Sequence, residues 1–329
     1  MLTWPHSSTG WASIFAEAET VFTAIAAAIS RFERLLIIVQ DEQVATRAGN
    51  CLIEAGVTPG SYRLVHAIYD DTWTRDYGPL TIIEHGTPTL LDFCFNGWGG
   101  KFPAELDNAL NLRLHAMGVW GNIPLCSIPL ILEGGSIDVD GQGNLLTTES
   151  CLLAPTRNPQ LDKSGWEQQL HAHLGIERVL WLRHGSIIGD DTDGHIDTLA
   201  RFCSPELIAY QSCDDPTDEN FIPLREMARE LATLRQINGA PYRLMPLPWM
   251  RPQYADDGRR LSATYANFLI INHAVLVPQY NDPADLAALQ TLQNCFPTRQ
   301  IIGINCTPLI LQNGSLHCVT MQFPVEVSI

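Results

Sequence analysis

Four short polar motifs recur along this chain at a nearly constant interval, and that spacing limits the fold more than any other feature. Asp76 and Glu133 stand 57 residues apart, Glu133 and His195 62, and His195 and Cys318 123, about two such intervals. The missing interval falls near residues 251–260, Arg-Pro-Gln-Tyr-Ala-Asp-Asp-Gly-Arg-Arg. A supersecondary unit repeated at fixed length, each copy sending one loop to a common site, accounts for this pattern.

The segments between the motifs are of α/β type. Ile14, Ala18, Val21, Ile25, Ile29 and Phe32 share one helical face, and the apolar run Leu35 to Val39 then reads as a buried strand. Helical periodicity returns near 41–55, 104–117, 162–174, 219–237 and 284–295. Most of these are followed by strand-like runs such as Tyr62–Ile68, Arg178–Leu182 and Arg299–Gly303. Asp140-Gly141-Gln142-Gly143 joins Gly135–Val139 to Asn144–Thr148 as a hairpin. No low-complexity linker divides the chain, which predicts a single domain over residues 1–329.

Nine cysteines cannot all pair, no Cys-x-x-Cys occurs, and several thiols lie in apolar runs, so most are expected to be small core residues in a reducing cytoplasm. The N-terminus has no Lys/Arg-led signal peptide, and Glu17 and Glu19 interrupt its first apolar stretch. No run is expected to reach transmembrane length. A net charge of −16 opposes binding to nucleic acid or acidic membrane and suits a small cationic ligand, although it also serves solubility alone. Homo-oligomerisation stays open.

Each motif allows two readings. Asp70-Asp71-Thr72-Trp73-Thr74-Arg75-Asp76-Tyr77-Gly78-Pro79 offers carboxylates for a planar guanidinium and Trp73 to cover its face, or else a loop bridged internally through Arg75. Glu133, before Gly134 and Gly135, can orient a histidine or stand as a solvated turn carboxylate. In Gly189-Asp190-Asp191-Thr192-Asp193-Gly194-His195-Ile196-Asp197, strand alternation puts His195 and Asp197 on one face. A metal is the other reading there, without the spacing or closing Glu of an EF-hand. Cys318, after Gln312-Asn313-Gly314-Ser315-Leu316-His317, is the one thiol expected to be exposed, against the usual buried structural role.

Together the four segments resemble, in order and wording, the agmatine deiminase family, with its Trp-x-Arg-Asp-x-Gly-Pro, Leu-Glu-Gly-Gly-Ser, Gly-His-x-Asp and His-Cys-x-Thr. The likeness extends to Leu2-Thr3-Trp4-Pro5-His6, Ile29-Ser30-Arg31-Phe32-Glu33-Arg34 and Thr264-Tyr265-Ala266-Asn267-Phe268. The resemblance implies the pentein fold, five ββαβ-like units about a pseudo-fivefold axis. It also implies Cys318 as nucleophile, His195 as general acid/base, Asp76 and Asp197 as the guanidinium clamp, and Glu133 as the partner orienting His195, with no metal or organic cofactor.

Two departures stand out. The family usually has a glycine run and Asn where this chain has Gln312, Asn313 and Ser315, and a short segment ahead of the Trp-Pro-His motif on which this chain almost starts. The rival readings are a deiminase or amidinotransferase acting on arginine, peptidyl-arginine or methylated arginine, a pentein-fold binding protein without catalysis, and a metal hydrolase built on His195. Arg251, Arg259 and Arg260 are the candidates to hold the α-carboxylate of an arginine substrate.

Overall fold

Fifteen strands pair into five three-stranded sheets, in a computed structural model that describes residues 1–327 and 329. The sheets are β1-β2-β3 (Leu2–Thr3, Leu35–Val39, Tyr62–His66), β4-β5-β6 (Leu80–Glu84, Thr87–Cys94, Leu125–Ile131) and β7-β8-β9 (Ile137–Val139, Asn144–Thr148, Arg178–Leu182). The last two are β10-β11-β12 (Ala200–Ser204, Leu207–Gln211, Arg243–Leu247) and β13-β14-β15 (Leu269–Ile271, Ala274–Gln279, Gln300–Asn305). The chain is thus α/β with five three-stranded sheets, the number expected of a pentein.

Three sheets share one construction: an antiparallel hairpin, then a helix, then a strand parallel to the second, as in β4/β5/β6, β7/β8/β9 and β10/β11/β12. The first departs from it, since β1 and β2 are parallel. Helix α1 (Phe15–Ser30) lies between them, and a crossover of that length brings the second strand back in the same direction, where a short turn would reverse it. The other long helices are α2 (Glu42–Glu54), α3 (Leu110–Ala116), α4 (Lys163–Leu174), α5 (Phe221–Thr233) and α6 (Asp285–Cys295).

The helix ends follow local chemistry. Asp41 and Asp162 accept from the backbone N–H of Val44 and Gly165, capping α2 and α4, and Gly175 closes α4 at φ 67°. The Asp140–Asn144 turn folds as its sequence implies. Gly141 and Gly143 take positive φ, and Asp140 accepts from the backbone N–H of Gln142 at 2.7 Å and of Asn144 at 3.0 Å.

The chain divides into two compact units, Met1–Gly134 with Leu269–Leu276 and Leu316–Ile329, and Gly135–Phe268 with Val277–Ser315. In the second, Leu224, Met227 and Leu231 of α5 recur at helical spacing and pack with Leu146, Leu180 and Leu182. In the first, α1 buries Phe22, Ile25, Ala26 and Ile29. Here one expectation is corrected. Ala12–Ser30 forms a continuous helical stretch that is, by length and composition alone, apolar enough to cross a membrane. Its apolar side is spent inside the unit, where the Phe22 ring meets Trp4 and Trp11 edge-on with centroids 6.1 and 6.2 Å apart.

Replacing Phe22 with Ala should therefore lower the free energy of unfolding by about 3–5 kcal/mol in a denaturant titration, while Thr20→Ala on the exposed side should cost less than about 1 kcal/mol.

Candidate active site

In the first unit the site is built around one helical turn, Thr74–Tyr77. The backbone N–H of Gly78 donates to Thr74 O at 2.8 Å. A Cβ at Gly78 would sit 2.5 Å from that same oxygen, and Pro79 ends the turn. Upstream, the buried Asp107 carboxylate accepts from the backbone N–H of Asp70 at 2.8 Å and of Asp71 at 3.2 Å. Tyr77 Oη donates to Asp71 O at 2.9 Å, and Trp11 Nε1 donates to Thr72 Oγ1 at 2.9 Å. Burial raises the Asp71 carboxyl to about 6, against the bonds it accepts from Thr72 and the indoles of Trp73 and Trp11. Asp71 thus fixes the ring that sequence reasoning offered as a cover for a cation.

Asp76 is buried, and its Oδ2 accepts from Trp98 Nε1 at 2.9 Å. Trp98 is the site residue that sequence reasoning missed. Its signal was the Gly97-Trp98-Gly99-Gly100 loop, which reads as an ordinary turn until its geometry is seen. Trp98 itself holds φ 56°, and a Cβ at Gly97 would stand 2.2 Å from Phe102 O. The Trp98 ring lies edge-on to Phe95, Phe102 and Trp73, its centroid 6.4 Å from that of Trp73.

Arg75 joins this turn to the remaining motifs of the unit. Its backbone N–H donates to Cys318 O at 3.0 Å and its Nε to His317 O at 3.4 Å, and its guanidinium reaches Met321 Sδ and Gln322 Oε1. On its carbonyl side a Cβ at Gly134 would come within 2.2 Å of Arg75 O, so the Glu133-Gly134 backbone lies against it. Glu133 is fully buried, which removes the solvated-turn reading. Arg75 engages the 317–322 segment, a role the sequence reading did not foresee. Cys318 is buried, correcting the expectation of an exposed thiol: its carbonyl is taken by Arg75, and the Thr320 backbone N–H turns back to His317 O at 3.1 Å. Among the described residues the exposed thiol is Cys126, and four of the nine are buried, fewer than expected.

In the second unit His195 and Asp197 are both buried and stand at a 3-10 turn, Ile196–Thr198, ahead of β10. They are not alternate strand positions as expected. The Thr198 and Leu199 backbone N–H groups bond three residues back, to His195 O at 3.2 Å and Ile196 O at 3.0 Å. The preceding loop is bound on itself: Asp190 accepts from Thr192 Oγ1 at 2.6 Å and Gly194 N at 2.7 Å, and the His195 backbone N–H donates to Thr192 Oγ1 at 3.1 Å. Burial nevertheless pushes the Asp190 carboxyl up. Arg157 binds Asp193 Oδ2 at 2.7 Å and Thr192 O at 2.9 Å, and Asn267 Nδ2 donates to Asp197 O at 3.3 Å. The Cys151 thiol and a His195 ring nitrogen lie within 4.8 Å, two donors of a kind that bind metals or exchange a proton. Beside Gly194 opens a cavity of about 510 Å³ lined by Asp190, Asp193 and Glu226 together with Arg183 and His184.

The three arginines of residues 251–260 are engaged. Arg251 pairs with Asp282 at 2.8 Å, Arg260 with Asp218 at 2.8 Å, and Arg259 donates to Leu311 O at 2.8 Å and to Asn313 Oδ1.

Residues 1–324 match the model of the Porphyromonas-type peptidyl-arginine deiminase family. The chain is 33% identical to an agmatine deiminase of Medicago truncatula, covering 98% of this chain and 92% of that one. It is similar to the structure of a Campylobacter jejuni agmatine deiminase solved as a cysteine-to-serine variant with substrate bound, at 38% identity and a TM-score of 0.88, over 97% and 91% of the two chains. A Porphyromonas gingivalis structure provisionally named an arginine deiminase is 46% identical with a TM-score of 0.90, over 99% and 95%.

Asp107 supplies a pH test of the loop that precedes the Thr74–Tyr77 turn. Burial raises its carboxyl from 3.8 to about 8, so its ionised form costs stability in the fold and not in the unfolded chain. The cost is absent below about pH 4, grows as the pH rises, and is complete above about pH 8. Asp107→Asn, which keeps an acceptor for Asp70 and Asp71, should raise Tm more at pH 9 than at pH 5. A gain that is equal at both, measured by calorimetry, would remove the charge as the cause.

Proposed function

We propose agmatine hydrolysis as the activity of this chain, which belongs to the Porphyromonas-type peptidyl-arginine deiminase family. The observation that carries the reading is the bond from the Arg75 backbone N–H to Cys318 O, which ties the residue bearing the thiol to the turn that bears the buried Asp76. Full-length similarity to proteins named agmatine deiminase supports it. The products are N-carbamoylputrescine and ammonia.

A guanidinium carbon is a poor electrophile because its charge is delocalised, so its plane must be fixed and a strong nucleophile supplied. Asp76 and Asp197 are assigned to the N–H groups of the cation and Trp73 to its face. Held to Trp98 through Oδ2, Asp76 meets the cation in a preset orientation. Cys318 Sγ attacks the carbon, His195 gives a proton to the departing nitrogen, and ammonia leaves a thiouronium bound to Cys318. Neutral His195 then takes a proton from water, the resulting hydroxide adds to the same carbon, and the C–S bond breaks to release the thiolate and, as the new hydroxyl gives its proton to solvent, the neutral ureido product. Glu133 is assigned to orient His195. The route employs no metal or organic cofactor.

Agmatine lacks the α-carboxylate of arginine, and burying a carboxylate without a cation is costly. Arg251, Arg259 and Arg260, the cations offered for that role, each have partners of their own, which favours agmatine. The second reading, arginine or peptidyl-arginine as substrate, draws on the family description and the Porphyromonas gingivalis relative. Nine thiols without a disulfide suit a reducing cytoplasm, where the product lies one hydrolysis from putrescine and so from polyamine synthesis.

Cys318→Ser should abolish ammonia release by chelator-treated protein, while Cys151→Ser should retain most of it. The opposite ranking would move the nucleophile to Cys151, and activity restored only by a divalent ion would favour a metal hydrolase. In competition assays kcat/KM for agmatine should exceed that for free arginine and for a blocked peptidyl-arginine by at least about a hundredfold, the scale set by leaving a buried charge unpaired. Arginine outperforming agmatine would replace the substrate and keep the chemistry.

A further inference from the structure

Asn313 stands where the agmatine deiminase motif carries glycine, and the reason a glycine serves there is visible in its backbone: φ is 69°. Asparagine is among the few other residues that adopt this conformation readily. Unlike glycine it brings a side chain, and both ends of that side chain are used. Nδ2 donates to Asp191 Oδ2 at 2.8 Å, and Oδ1 accepts from Arg259. Its carbonyl accepts from Ser262 Oγ at 2.9 Å. Three loops of the second unit therefore meet at this residue: 189–195, which ends on His195, 251–262, and 311–315.

The first of these loops already has one fastening, Arg157 to Asp193 and Thr192. Its opposite flank lies on residues 260–262 so closely that a Cβ at Gly189 would stand 2.5 Å from Arg260 O and 2.9 Å from Ser262 N. Asn313 fastens that flank through Asp191, four residues before His195.

We infer that Asn313, in place of the usual glycine, is a positioning residue for His195, holding the 189–195 loop through Asp191 while Arg259 holds Asn313. The inference rests on His195 serving the deamination proposed above, and it adds a contact that a glycine at this position cannot make.

Asn313→Gly isolates the effect, because it retains a residue suited to positive φ and deletes only the side-chain bonds. The variant should fold with Tm close to that of the parent, lose on the order of tenfold in kcat for agmatine, and change KM by less than about twofold, as displacement of a proton-transfer group predicts. Asp191→Ala breaks the same bond from the other side and serves if the first variant fails to fold. The double variant should be no worse than the poorer single one, since both remove one interaction. Hydrogen–deuterium exchange of the peptide covering 189–195 should be faster in either variant. This arm uses folded protein without substrate, so it decides the loop contact even if the parent proves inactive on agmatine, a result that would reject the proposed function by itself. With an active parent, unchanged kcat, unchanged exchange or multiplicative losses in the double variant would each overturn the inference.

Discussion

A single arginine fixes the geometry of three motifs in the first unit. Arg75 is buried, and its charge is accommodated by directing the guanidinium to Met321 and Gln322 and its Nε and backbone N–H to the carbonyls of His317 and Cys318. Its neighbour Asp76 is thereby placed beside the segment that carries the thiol, and its carbonyl accepts the close passage of Gly134. Any side chain at residue 134 would displace that carbonyl, and with it Glu133. Three of the four motifs are thus coupled through main-chain contacts, which tolerate less displacement than contacts between side chains.

The His195 loop of the second unit is organised differently. Around His195 the loop is rich in carboxylates, with Asp190 as the internal cap that accepts from Thr192 and Gly194 and Arg157 as the buried counter-charge of Asp193. A run of four acidic side chains and a histidine reads from sequence as a possible cation site. In the structure three of those carboxylates, Asp190, Asp191 and Asp193, have partners within the protein that shape the turn, so much of the apparent ligand capacity is structural.

Legibility in the sequence followed how local each determinant was. Helix α4, bounded by Asp162 and Gly175, and the Asp140–Asn144 hairpin could be placed closely because their capping and turn residues lie inside the element. The first sheet could not, because the parallel pairing of β1 and β2 depends on a helix between them and not on either strand. His195 and Asp197 were assigned to a strand because period-two spacing cannot tell a strand from a 3-10 turn set by Thr198. Trp98 escaped notice since its partner Asp76 lies 22 residues upstream, and the burial of Cys318 since the residue that covers its carbonyl is more than two hundred positions away. Of the residues that replace the family's glycine run before Cys318, Asn313 takes a positive φ as a glycine would.

The discontinuity of the first unit also orders events on the ribosome. Residues 1–134 are made first, yet the unit that contains them is completed only by 269–276 and 316–329. The contact between Arg75 and His317 closes across 242 positions. A nascent chain must therefore keep Trp73, Arg75 and Asp76 waiting while the whole second unit is synthesised, and Cys318 follows that unit. Until then Arg75 lacks the carbonyls of His317 and Cys318, so this part of the first unit is assembled only after the second has been made.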